Sequence, residues 1–344
     1  MPLEAACRRQ RILLAGFESS GKIKAAGGDP PQAVSFVKNN FIEMNVEGTE
    51  VWVKVSAEFE NFEPRIQVLV DGSPSQRIML NKGEYNICVF RNMEPGNVRN
   101  IRILKNTPAF PTDKKAVLQI LEVHTDGKFL PLKPAALKME VIGDSITSGE
   151  GCSGAGKEMT WNSFCFNCVD SYAYMAAQEL DAVYNCISQS GWGVFCSWED
   201  NEKQAIPLYY EQVCGLLNGE KNKKLGAFEN WDFDRFKPDV IVVNLGTNDG
   251  SGTQDVGKIK NTTELFVEKL RKCNPKSYIL WAYGMLGDEI AAILEETVEN
   301  YKEKTGDKHV EFFKLPDTLA QDNIRGMHLI KKQQMYWWKK YVLS

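Results

Sequence analysis

Part-way along the chain the spacing of apolar residues changes, and that change constrains the fold more than any other feature. From Phe41 onward, GTEVWVKVSAEF, RIQVLVDG, QRIMLNKG, YNICVFRNM, NIRILKNT and AVLQILEVHTDG are short, alternating and β-branched. Gly, Asn or Pro separate them at spacings of about ten residues, which is the pattern of a β-sandwich or jelly roll. After PLKPAALK the period changes. MEVIGDS, DVIVVNLGTND and SYILWAYG are near-continuous apolar runs, as expected of parallel strands buried on both faces. Helical patterns lie between them: DSYAYMAAQEL with Asp170 as its cap, TTELFVEKLRK, GDEIAAILEETVENYKEK, and HLIKKQQMYWWKKYV at the end.

Strands alternating with helices imply a doubly wound α/β domain with a parallel sheet. The expected organisation is therefore a loosely structured lead-in over residues 1–34, a β-sandwich or jelly-roll domain over 35–137, and an α/β domain over 138–344. Two domains also suit a chain of 344 residues, given a norm of roughly 150 residues per domain.

Charge excludes some functions. With 41 basic and 45 acidic residues the formal net charge is -4, which leaves no basic face for nucleic acid or an anionic membrane. No apolar run is long enough to span a bilayer, and the apolar stretch in MPLEAACRRQRILLAGFESS is too short and interrupted for a signal peptide. A cytoplasmic location is the expectation. The nine cysteines are irregularly spaced, as free or buried thiols in a reducing compartment are, and the Cys165–Cys168 pair lacks the companions of a zinc or redox site. Neither metal nor cofactor is expected. A homo-oligomer is compatible with the sequence.

Two segments compete for the chemistry. GCSGAGKE approaches the phosphate-cradling pattern G-x-x-x-x-G-K-[ST], but Glu158 stands where the hydroxyl belongs and the preceding strand ends too early. GDSIT is the better candidate, because it places Ser145 where an apolar strand ends, and ligands of open α/β sheets bind at the carboxyl ends of strands. NLGTND brings Asn248 to the same rim, and NCISQSGWG brings Gly191 and Gly193. Serine becomes a nucleophile only when a base takes its proton. Of the three histidines, His124 lies in the β-rich half and His309 heads the strand HVEFF, whereas His328 occupies a loop before the last helix. His328 is the expected base. Asp144 and Asp249 flank the key residues and are expected to hold the two turns through backbone hydrogen bonds. Trp192 is a candidate for lining the substrate cleft, with Trp198 behind it.

There is no G-x-S-x-G. GDSITSGEG, then SQSGWG, then NLGTND, then a C-terminal histidine resemble the SGNH (GDSL-type) hydrolases in order and position. A β-rich half with VDG and TDG turns running into IGDSIT resembles the two-domain acetylxylan esterases of carbohydrate esterase family 2, over about residues 40–344. The resemblance implies Ser145 as nucleophile, His328 as base and then acid, and an oxyanion hole of the Ser145 N–H, the Gly191 N–H and the Asn248 amide. Gly193 is the alternative donor. Each such donor is worth about 3 kcal/mol in acyl transfer. The family's aspartate three residues before the histidine is replaced by Arg325, so a dyad with a loop carbonyl orienting His328 is expected. The implied function is removal of O-acetyl groups from plant-derived xylo- or manno-oligosaccharides or polysaccharides. A broad short-chain esterase or thioesterase, and a non-catalytic glycan-binding protein, are the alternatives.

Overall fold

The computed structural model describes residues 34–36, 41–153, 162–252, 255–317, 324–325 and 328–329, with backbone only at 34–36, 316–317 and the last two pairs. The expected lead-in up to residue 33, the glycine-rich segment around Lys157 and the expected final helix beyond Leu329, with Trp337 and Trp338, lie outside the described residues, whereas Val34 begins a strand and His328–Leu329 form a strand where a loop and the start of that helix are expected. The chain divides into two compact units, one of Met1–Pro134 with Gln212–Asn230, the other of Ala135–Glu211 with Trp231–Ser344.

The first unit is built of strands β1 (Val34–Phe36), β2 (Phe41–Glu47), β3 (Val51–Glu58), β4 (Arg65–Val70), β5 (Ser73–Met79), β6 (Gly83–Phe90), β7 (Val98–Lys105), β8 (Val117–Thr125) and β9 (Lys128–Leu130). One sheet runs β1-β2-β7-β4-β5, with β9 added on β2, and the other β6-β3-β8. Alternation decides which side chains go inside: along β3, Val51, Val53 and Val55 are buried while Trp52 and Lys54 between them are only partly so. Ile42, Met44, Val68 and Ile103 of the first sheet share one core with Val53, Val55, Ile87 and Ile120 of the second, which makes the pair a sandwich. Between β4 and β5 the VDG turn places Asp71 at φ 52° and Gly72 at φ 79°, the two left-handed residues a tight hairpin needs.

Residues Gln212–Asn230 join this unit from far along the chain. Their ends are tied by the Val213 N–H on Glu229 O and the Cys214 N–H on Ala227 O, both 2.9 Å. The closed loop carries helix α3, Glu220–Lys224 as counted along the chain. Asn222 Nδ2 donates to Ala116 O at 3.1 Å, and Lys221 pairs with Glu58 at 2.9 Å. The sequence carries no periodic signal for this attachment.

The second unit contains β10 (Leu137–Gly143), α1 (Ser145–Ser148), α2 (Tyr172–Glu179), β11 (Ala182–Ser188), β12 (Val240–Asn244), α4 (Thr247–Ser251), α5 (Val256–Cys273), β13 (Tyr278–Met285), α6 (Ala291–Thr305) and β14 (Val310–Asp317). Its main sheet has five parallel strands in the order β11-β10-β12-β13-β14. The strand order reverses between β10 and β12, where such folds place their ligands. Met139–Gly143 and Ile241–Asn244 are buried throughout, which is why both read as unbroken apolar runs. Glu140 is the charged exception inside β10, and its carboxylate accepts from Tyr210 Oη and Asn185 Nδ2. α5 buries Ile259, Thr263, Phe266, Val267 and Leu270 along one helical stripe, and Asp255 caps it by accepting from the Lys258 N–H at 3.0 Å. The cap of α2 is Ser171 rather than the expected Asp170, which closes a preceding single turn and holds Asn167 instead. No helix among the described residues is long and apolar enough to cross a membrane.

Candidate active site

Register brings the two polar turns together. Gly143 and Asn244 are partners at the carboxyl ends of β10 and β12, and on β10's other side Gly143 pairs with Ser188 of β11. The chain leaving all three strands therefore emerges on one rim, as the sequence predicts for GDS, SQSGWG and NLGTND. Behind Gly143 there is no room for a side chain, since a Cβ there would lie 2.0 Å from Thr147 Oγ1.

Ser145 is the first residue of α1 and is 7% exposed. Asp144 precedes it as the helix cap, with Oδ1 accepting the Ile146 N–H at 2.9 Å. Its other oxygen, Oδ2, accepts from Asn248 Nδ2 at 3.2 Å, and the same amide donates to Trp192 O at 2.9 Å. Asn248 thus touches both neighbouring turns. Asp144 is wholly buried, and burial pushes its carboxyl up to about 7 against the pull of the Ile146 N–H, with the charges of Asp249 and Glu150 adding to the rise.

Asp249 sits one residue further into α4 and is also buried. It accepts three consecutive backbone N–H groups, of Val194, Phe195 and Cys196, at 2.9, 2.7 and 3.0 Å. Burial raises its carboxyl too, while those three bonds pull the other way. Both aspartates accept backbone N–H groups of the turns around them.

The two glycines separate by geometry. A Cβ on Gly193 would lie 2.1 Å from Asp249 Oδ2, so that position is glycine to let the carboxylate reach its three N–H partners. Gly191 adopts φ +78°, and a Cβ there would meet the Trp198 indole at 2.9 Å. Its carbonyl accepts the Trp198 N–H at 3.1 Å. Among the described residues its own N–H has no acceptor, as an oxyanion donor requires.

The two tryptophans exchange the weights the sequence gives them. Trp192 is buried against Tyr209, ring centroids 5.3 Å apart, and presents its carbonyl to Asn248. Trp198 is 60% exposed beside Gly191. Composition offers no way to rank them, because both lie in an irregular loop without periodicity. Glu150 is the residue sequence reading passes over. It stands inside GDSITSGEG, and its carboxylate accepts the Ser190 hydroxyl.

For His328 the backbone alone is described. Residues His328–Leu329 form β16, paired antiparallel with β15 (Ile324–Arg325) so that Arg325 faces His328 across a short hairpin. β16 runs beside α1, which brings the backbone of His328–Leu329 next to the helix that Ser145 begins. His124 belongs to the first unit, where it meets Glu122 at 2.9 Å, and His309 stacks near Tyr278 at 6.2 Å. Cys165 and Cys168 are buried free thiols, and no three ligand-type side chains converge among the described residues.

Residues 141–329 match the GDSL-like Lipase/Acylhydrolase family. An acetylxylan esterase / glucomannan deacetylase of Cellvibrio japonicus is 29% identical over 239 residues, 67% of this chain and 62% of that protein. The chain spans between a third and just under two thirds of the length of the first curated relatives it matches. Among solved structures, the acetyl xylan esterase Est2A from Butyrivibrio proteoclasticus is 33% identical with a TM-score of 0.84, covering 96% of both chains. A family two carbohydrate esterase from Clostridium thermocellum, solved in complex with cellohexaose, shares the fold at 24% identity with a TM-score of 0.78, again over 96% of both.

Proposed function

The chain belongs to the GDSL-like lipase/acylhydrolase family, and from that footing we propose that it is a carboxylic ester hydrolase that removes O-acetyl groups from xylo- or manno-oligosaccharides through an acetyl-serine intermediate. The observation that carries the proposal is the convergence of Ser145, the Gly191 N–H and Asn248 at the ends of three adjacent parallel strands. The similar proteins named for acetylxylan or glucomannan deacetylation support the choice of substrate class.

In this reading His328 takes the proton of Ser145 Oγ as that oxygen bonds to the acetyl carbon. Negative charge moves onto the carbonyl oxygen, which receives hydrogen bonds from the N–H groups of Ser145 and Gly191 and from Asn248 Nδ2. For that, the longer of the amide's two bonds, the 3.2 Å contact with Asp144, gives way to the oxyanion while the Trp192 carbonyl keeps the other. Collapse breaks the bond to the sugar oxygen, which leaves with the proton from His328. Water then repeats the sequence, its proton going to His328 and its oxygen to the acetyl carbon, and acetate leaves as Ser145 recovers its proton. Arg325 stands opposite His328 in the hairpin, so a loop carbonyl takes the orienting role in this reading.

Trp198 is the sugar-facing aromatic of the proposal. Its exposed indole lies beside Gly191, and an aromatic face suits the apolar face of a pyranose ring.

The test is acetate release from acetylated xylo-oligosaccharides, acetylated manno-oligosaccharides and 4-nitrophenyl esters of two, four and eight carbons. The proposal expects the acetylated sugars to give the highest kcat/KM and the longer acyl chains to be poor. Equal or better turnover of the eight-carbon ester would replace it with a broad short-chain esterase.

A further inference from the structure

Two loops carry the proposed oxyanion donors, and side chains stitch them together. One is the turn that starts at Ser145, the other the segment leaving β11 toward Gly191. The first stitch is Ser148, whose hydroxyl contacts Ser188 Oγ at 2.8 Å and Asp144 O at 3.0 Å. The second is Glu150, whose carboxylate accepts the hydroxyl of Ser190. The two pairs are each spaced by two residues on both strands of chain, so they form successive rungs between the loops.

Glu150 is an expensive residue to use for this purpose. It is buried, and it lies close enough to Asp144 to help raise that carboxyl. A buried carboxylate is retained only when hydrogen bonds compensate its desolvation. Its backbone is fixed as well, because its N–H donates to Ser145 O at 3.0 Å and it bridges to Phe166. One residue therefore binds the carbonyl of the nucleophile and the hydroxyl of the residue before Gly191. Gly191 itself has no side chain to anchor it and adopts φ +78°, so its N–H direction depends on its neighbours. On the far side the Trp198 N–H holds the Gly191 carbonyl. On the near side the Trp192 N–H closes the turn on Gln189 O and the Gln189 amide donates to Ser190 O, both at 3.3 Å, while the Ser190 hydroxyl ties the same turn to Glu150 and so to the loop of Ser145.

We propose that Glu150 is a positioning residue for ester hydrolysis: through Ser190 it sets the direction of the Gly191 N–H relative to Ser145. The proposal rests on the assignment of Gly191 as an oxyanion donor made above. A donor aimed at the developing charge helps only the transition state, so its misalignment lowers kcat and leaves substrate affinity alone.

The experiment is steady-state hydrolysis of 4-nitrophenyl acetate by wild type, Glu150→Ala, Glu150→Gln, Ser190→Ala and the Glu150→Ala/Ser190→Ala double variant. Glu150→Ala and Ser190→Ala are each expected to lower kcat on the order of tenfold to a hundredfold with KM within about twofold, less than the 10²–10³ lost with a whole donor. The double variant is expected to match the single ones rather than multiply them, because both cut the same link. Glu150→Gln keeps an oxygen acceptor for the Ser190 hydroxyl and removes the charge, and is expected to recover most of the loss. Wild-type kcat in Ser190→Ala, multiplicative losses in the double variant, or Glu150→Gln as impaired as Glu150→Ala would each overturn the proposal. Should Glu150→Ala fail to fold, Ser190→Ala decides alone. A wild type without turnover overturns the esterase assignment along with it, whereas wild-type turnover with unaffected rung variants overturns the positioning role only.

Discussion

Asn248 Nδ2 donates to Asp144 Oδ2 at 3.2 Å, linking the turn after β12 to the turn that begins with the nucleophile. The residues are 104 positions apart in sequence, and the parallel register of β10 and β12 makes them neighbours. Asp144 therefore serves two turns at once: Oδ1 caps α1 and Oδ2 steers the amide proposed for the oxyanion hole.

Removing that amide is expected to act on the transition state. Asn248→Ala should lower kcat by about 10²–10³ while KM for 4-nitrophenyl acetate changes little. Stopped assays on the purified variant check this, and a rise in KM at constant kcat would assign Asn248 to substrate binding instead.

Stability should fall with pH across the acid range. Asp144 ionises near 7 in the folded chain because it is buried, against 3.8 for an ordinary aspartate. A raised acid favours the folded state in its protonated form. Its contribution is full below about pH 4, is lost as pH rises toward about 7, and stays constant above. Asp249, shifted upward by the same cause, acts in the same direction. Urea titrations at pH 5 and pH 8 should give a smaller difference for Asp144→Asn than for wild type, and an unchanged difference would show that Asp144 ionises near its ordinary value.

The two glycines should fail in different ways. Gly193→Ala drives a methyl group into Asp249 and should unfold the chain at markedly lower denaturant concentration, with a cost above about 2 kcal/mol. Gly191→Ala puts a Cβ on a left-handed residue beside Trp198. Its conformational cost is about 1–2 kcal/mol, and its larger effect should be on kcat. Equal stability and equal kcat for the pair would contradict the separation of their roles.

Trp198 should matter only to sugar esters. Trp198→Ala is expected to raise KM for acetylated oligosaccharides roughly fivefold to tenfold, corresponding to about 1 kcal/mol of lost stacking, and to leave 4-nitrophenyl acetate hydrolysis unchanged. Trp192→Ala, by contrast, empties a buried site beside Tyr209 and should lower stability.

Much of this arrangement is legible in the sequence because buried parallel strands announce themselves. MEVIGDS and DVIVVNLGTND are apolar up to the residue where each strand stops, so the polar residues that follow are marked as rim residues. The sandwich is visible in the same way, through alternation and turns such as Asp71–Gly72. What escapes sequence reading has no period. The segment from Gln189 to Ala205 is irregular, so nothing distinguishes Trp192 turned inward from Trp198 turned outward. Asp249 reaches Val194, Phe195 and Cys196 across more than fifty residues, and Gln212–Asn230 leaves one unit to fold with another. The alternate glycines of SGWG were the one available sign of crowding there.

The most direct test of the account is the rate of acetate release from an acetylated xylo-oligosaccharide by wild type, Ser145→Ala and His328→Ala, measured beside the same proteins' unfolding curves. The account predicts turnover by wild type and a loss on the order of 10⁴-fold or more in each variant, with folding intact. Well-folded Ser145→Ala that keeps a substantial fraction of wild-type activity would contradict it.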